Sequence, residues 1–181
     1  MICIITGFPM FDQPPSPGMS QYAEQLRVNH KKTKVLQLTW NQTPDDADLD
    51  SPNEPVLLIG HSFGGCSAVM ISRHLETMNL PVHLLLLDPV RHQTNDRVWP
   101  IPPNNNSAAQ LGGASFDPGP NWVSALAFLR TNVTWLPPYH QGLGAGAAET
   151  NMQVPNTDHN TIILAPVVQN MIFAKAASLF D

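Results

Sequence analysis

Charge is scarce in this chain: Lys, Arg, Asp and Glu make up 13% of it, with 9 basic side chains against 14 acidic ones. The basic residues form no run. The sequence therefore lacks both the cationic stripe of a nucleic-acid surface and a polybasic handle for anionic lipid. Long apolar runs are missing too. The opening run Met1-Ile2-Cys3-Ile4-Ile5 is far shorter than the roughly 20 residues that cross a bilayer. It has no positively charged flank and no small-residue cleavage site, so it predicts a strand rather than a signal peptide, with the cytoplasm as the expected location. Cysteine is limited to Cys3 and Cys66, both within expected regular elements. They read as buried free thiols in a reducing compartment. No histidine falls into ligand spacing with a cysteine or a second histidine, so no zinc site and no cofactor is expected.

The chain does have enough apolar residues, 43% of 181, to bury a core, and its length predicts one domain over 1–181. Residues 2–6, 34–38, 56–59 and 82–87 read as short apolar strands. Between them lie expected helices over 21–29, with Ser20 as N-cap, and over 66–78, ended before Pro81. Residues 41–54 read as an exposed acidic connection. A helix over 122–130, a fifth strand over 132–136 and a last helix carrying Val168, Met171, Ile172, Ala176 and Leu179 at 3.6-residue spacing complete the pattern. Residues 7–18, 92–120 and 142–156 read as loops, rich in Pro, Gly or small residues. No repeat and no heptad pattern occurs. Strands alternating with helices predict an α/β three-layer sandwich: a five- or six-stranded, mostly parallel sheet covered on both faces.

Against that background Gly60-His61-Ser62-Phe63-Gly64 stands out. It follows the apolar run Val56-Leu57-Leu58-Ile59 and precedes a helical pattern, the setting in which G-x-S-x-G forms a sharp turn that raises a serine above a sheet. A serine hydroxyl is a weak nucleophile. It needs a base to take its proton and an anion to orient that base. Sites in open parallel sheets form beyond the carboxyl ends of strands. Asp88 directly follows the strand 82–87, and His159 lies in a polar loop before the last helix. Ser62, Asp88 and His159 are the expected catalytic residues. His140 is the rival base. His61, beside the serine but turned away from it, reads as a packing residue; His74 lies on the helix after the turn, His83 inside a strand, and His30 and His92 beside polar segments.

These residues resemble the α/β-hydrolase superfamily, in a small esterase- or lipase-like form. The likeness rests on Gly60 to Gly65, on Leu87-Asp88-Pro89-Val90, on Asp158-His159-Asn160-Thr161-Ile162 and, more loosely, on Asn121-Trp122-Val123 with Ala125 and Phe128. It spans most of residues 2 to 180. It implies hydrolysis of a carboxylic ester through an acyl-enzyme. The chain departs from the family in being short, and in its acid. The family's acid more often follows the next strand, and Glu149, Asp117 and Asp158 stay open beside the preferred Asp88. The backbone N–H groups of Phe63 and Phe8 are the expected oxyanion donors, because Pro9 has none to give; Met10 is a poorer second choice than Phe8. Trp99, Phe116 and Trp122 are expected to wall the pocket for an uncharged, moderately hydrophobic small-molecule ester; the alternative is that they seal a minimal core. Thioesterase, amidase or acyltransferase chemistry uses the same groups. A hydrolase-like binding module without chemistry is the rival of another class.

Overall fold

The computed structural model describes residues 1–7, 17–49, 54–75, 78, 80–92, 108–110, 122–130 and 148–181. In chain order the elements are β1 (Ile2–Thr6), α1 (Pro17–Asn29), β2 (Val35–Thr39), α2 (Asp46–Leu49), β3 (Val56–His61), α3 (Phe63–Leu75), β4 (Val82–Leu87), β5 (Val90–His92), β6 (Ala108–Gln110), β7 (Trp122–Leu129), β8 (Ala148–Gln153), a 3-10 turn (Ile162–Leu164) and α4 (Pro166–Phe180). Six strands form one sheet in the order β2-β1-β3-β4-β7-β8. Every neighbouring pair in it is parallel. β5 and β6 form a separate antiparallel ribbon.

Alternation along the strands divides the core in two. Cys3, Ile5, Val56, Leu58, Leu84 and Leu86 face α3, where Cys66, Val69, Met70 and Ile71 meet them. Ile2, Ile4, Leu57, Ile59, Leu85 and Leu87 face α1 and α4, meeting Met19, Leu26, Val168 and Ile172. The result is the expected three-layer α/β sandwich, with six strands, all parallel. α1 starts at Pro17, where a fixed φ and a missing N–H suit the first turn of a helix. Ser20 therefore sits inside α1 instead of capping it. On α4, Val168, Ile172 and Ala176 are buried, while Met171 is 38% exposed at the margin of that stripe. The acidic connection 41–54 contains α2, whose Leu49 is fully buried.

The main departure from expectation is residues 122–130. The sequence predicts a helix there, and Ala125, Leu126, Ala127 and Leu129 are good helix formers. The chain instead builds β7. Every residue of β4 is buried. A strand buried on both faces must pair along both edges to satisfy its N–H and C=O groups. β3 takes one edge and β7 the other. Tertiary pairing thus overrides local propensity. β8, in a stretch read as loop, is polar (Ala-Glu-Thr-Asn-Met-Gln) and lies at the sheet's border. It shows no apolar alternation by which to recognise it. The expected strand 132–136 lies outside the described residues.

Candidate functional site

The strand order reverses direction between β1 and β3, because β2 lies on one side of this pair and β4, β7 and β8 on the other. Ligand crevices in open α/β sheets form at the carboxyl ends of strands flanking such a reversal. At this edge His61 of β3 is level with Leu87 of β4, which is level with Phe128 of β7. The next residues, Ser62 and Asp88, extend the ladder by one rung each: Ser62 N–H donates to the Leu87 carbonyl at 3.1 Å, and Asp88 N–H to the Phe128 carbonyl at 2.8 Å. Both then turn through left-handed backbone, with φ of 57° and 39°. For residues other than glycine such dihedrals cost about 1–3 kcal/mol each and persist where the surroundings enforce them.

Those surroundings are visible at Ser62. A Cβ on Gly60 would overlap the Gly64 carbonyl, so the tight crossing of strand and helix needs glycine there. On the other side Gly7, just after β1, lies against the serine itself. A Cβ at Gly7 would lie 2.5 Å from Ser62 Cβ and 3.0 Å from its Oγ. α3 begins one residue after Ser62, so the Phe63 amide belongs to the positive end of that helix. The Phe63 ring is buried edge-on to Trp40, with centroids 5.2 Å apart.

His159 reaches this edge on a tight turn built by its neighbours. The Asp158 carboxylate accepts the N–H groups of Asn160 and Thr161, both at 2.8 Å, and the Thr161 hydroxyl at 3.0 Å. The Asp158 N–H donates back to Thr161 Oγ1 at 2.9 Å. The Thr161 and Asn160 amides hold the Asp158 carboxyl below its ordinary range. The turn aims the imidazole at the sheet. Its Nδ1 lies 2.5 Å from Asp88 Oδ2 and its Nε2 2.8 Å from Ser62 Oγ. A carboxylate oxygen only accepts, so the Nδ1 hydrogen is assigned to the Asp88 bond, and Nε2 accepts the serine hydroxyl. Such an arrangement can draw a proton from Ser62 while Asp88 holds the ring in the required tautomer.

Asp88 is fully buried and Ser62 nearly so, whereas the His159 side chain is 26% exposed. Two further groups converge on them. Arg130, one residue past β7, brings its guanidinium Nη1 to 3.3 Å from Asp88 Oδ2, and its backbone N–H lies 3.5 Å from Oδ1. His61 donates from Nε2 to the His159 carbonyl at 2.8 Å, and the two imidazole rings lie 4.9 Å apart. Burial, with His159 nearby, pushes His61 down to about 4. Sequence reasoning missed both contacts. Arg130 was hidden by the helical reading of 122–130. His61 was expected to pack, and it also forms a hydrogen bond to the segment that carries His159.

The structure brings Ser62, Asp88 and His159 together and places Phe63 beside them. Of the rival acids, Asp158 is engaged with its own turn, and Glu149 lies within β8 level with Ala125; Asp117 lies outside the described residues, as do Phe8, Trp99, Phe116 and His140. Trp122 requires a correction. It pairs with Val82 at the amino end of β4. Phe128 lies six residue steps further along β7, which puts the Trp122 backbone roughly 20 Å from the Ser62 edge. Read as a helix start, Trp122 fell beside the pocket; as a strand start, it falls at the opposite edge. Among the described residues no group of three or more His, Cys, Asp or Glu could hold a metal ion. No helix among them is long and apolar enough to cross a membrane. No protein-family model matches this sequence, and no curated protein matches it.

Proposed function

We propose that this protein is a serine hydrolase of carboxylic esters, a small member of the α/β-hydrolase superfamily. The observation that carries the reading is one imidazole bonded on one side to Ser62 Oγ and on the other to a fully buried carboxylate, at the carboxyl edge of a parallel sheet. Ser62 attacks the ester carbonyl as His159 Nε2 takes its proton. Asp88 stabilises the imidazolium that results. The Phe63 amide, at the head of α3, donates to the oxyanion, with Phe8 as the second donor. His159 then returns the proton to the leaving alcohol. Water, activated by the same imidazole, releases the acid from the acyl-enzyme. The two buried free thiols support a reducing, cytoplasmic location, with Cys3 pushed up to about 12 by burial and so unreactive as a thiolate.

Turnover of a short- to medium-chain p-nitrophenyl ester series tests the reading. The expected result is hydrolysis by the purified protein that Ser62→Ala loses to background. Equal rates for the two proteins would overturn it. Matched thioester and anilide substrates then identify the preferred acyl bond.

A further inference from the structure

We propose that Arg130 is the positioning residue for the Asp88 carboxylate, and through it for His159. The proposal rests on the hydrolase reading above. Asp88 is fully buried, and a carboxylate has acceptor sites on both oxygens. His159 Nδ1 occupies part of Oδ2 alone. Arg130 contacts both oxygens: its guanidinium approaches Oδ2 at 3.3 Å, and its backbone N–H approaches Oδ1 at 3.5 Å. The backbone contact follows from strand register, because Arg130 continues β7 at the edge where Asp88 continues β4. The side-chain contact is this residue's own contribution. It places a rigid, permanently charged fork against the same oxygen that orients the imidazole. Rotation of the carboxylate away from His159 would break both the Nδ1 bond and the ion pair. Two other titratable groups lie beside this cluster: His61, its ring centroid 4.9 Å from that of His159, and Asp158, in the turn that carries His159. Neither has a hydrogen bond to Asp88 among those described.

Arg130 is not catalytic, because it acts on the nucleophile only through Asp88 and His159. Its effect should therefore appear in kcat and not in KM. The Arg130 side chain is 35% exposed, so a small cation can enter the space it vacates. The test is ester turnover and fluorophosphonate labelling of wild type, Arg130→Ala, Arg130→Lys and Ser62→Ala. The expected result for Arg130→Ala is a kcat roughly 10- to 100-fold lower, with KM within about two-fold. Guanidinium at tens of millimolar should restore much of that rate, while urea, neutral and of the same shape, should not. Arg130→Lys should fall between, because it keeps the charge and loses the fork. A kcat for Arg130→Ala within about two-fold of wild type would overturn the proposal and leave the hydrolase reading standing. A loss that neither guanidinium nor lysine relieves would overturn it as well, because a merely structural role behaves so. Wild type that neither turns over ester nor takes the label would instead remove the hydrolase reading, and this proposal with it.

Discussion

After β3 the chain turns through a serine hemmed in by glycines; after β4 it turns through an aspartate held by its partners. Both turns start from strands buried along their whole length, and both place a polar residue at positive φ. The first is enforced by crowding. Backbone crosses backbone so closely at Gly60 that no side chain fits, and Gly7 closes over Ser62 from β1. At the second, Pro89 also packs closely on Gly65, but the carboxylate itself is held by attraction, through the imidazole and the guanidinium on Asp88. A turn fixed by sterics leaves glycines at fixed offsets, which a sequence displays. A turn fixed by partners distant in sequence leaves only an aspartate after an apolar strand. That is why Ser62 is conspicuous in the sequence and Asp88 remains one of four candidate acids until the strands are paired.

The largest effect expected from breaking the comparison is on the attractive side. Asp88→Asn should lower the hydrolytic rate by about 10⁴-fold, because an amide can hold His159 in the wrong tautomer. Asp158→Asn should stay within about ten-fold, since that carboxylate serves its own turn and lies outside the imidazole's bond. Comparable losses in kcat for the two variants would contradict the assignment of the acid. On the steric side, Gly60→Ala should destabilise the fold by about 3 kcal/mol or more, read as a drop in denaturant midpoint, because the added methyl meets backbone that cannot move aside. A midpoint unchanged from wild type would mean that the elbow is not crowded.

The smallest effect concerns two buried imidazoles, one beside the site and one within β4. Burial pushes both His61 and His83 down to about 4. An unfolded chain takes up these protons near pH 6.5. Between about 6.5 and 4 the unfolded state therefore binds more protons than the folded one, and stability falls as pH is lowered through that window. Urea melts across it should show this decline in wild type, and a shallower one in His61→Gln. Equal slopes would mean that His61 protonates freely in the folded protein.

Much of the fold was legible because apolar strands and amphipathic helices repeat at characteristic periods. β1, β3 and β4 are nearly continuous apolar runs, and Tyr22, Ala23 and Leu26 mark the inner face of α1. Besides the short β5–β6 ribbon, two strands of the main sheet are not legible, for opposite reasons. β7 is made of residues that would also form a helix, and only the unfilled edge of β4 decides between them. β8 is polar and carries no period. Missing β7 had consequences at the site. It put Trp122 on the wrong edge and concealed that Arg130 emerges beside Asp88. The order Ser62, Asp88, His159 was legible because each follows a strand or precedes the last helix, where the chain returns to the same edge of the sheet.

The central claim is that Ser62 is a nucleophile activated by His159. Intact-mass analysis after exposure to a fluorophosphonate tests it most directly, because the reagent reports an activated serine without requiring the natural substrate. The account predicts one adduct on wild type, none on Ser62→Ala, and strongly slowed labelling of His159→Ala. A folded wild type that takes no adduct, or an adduct that persists on Ser62→Ala, would contradict it.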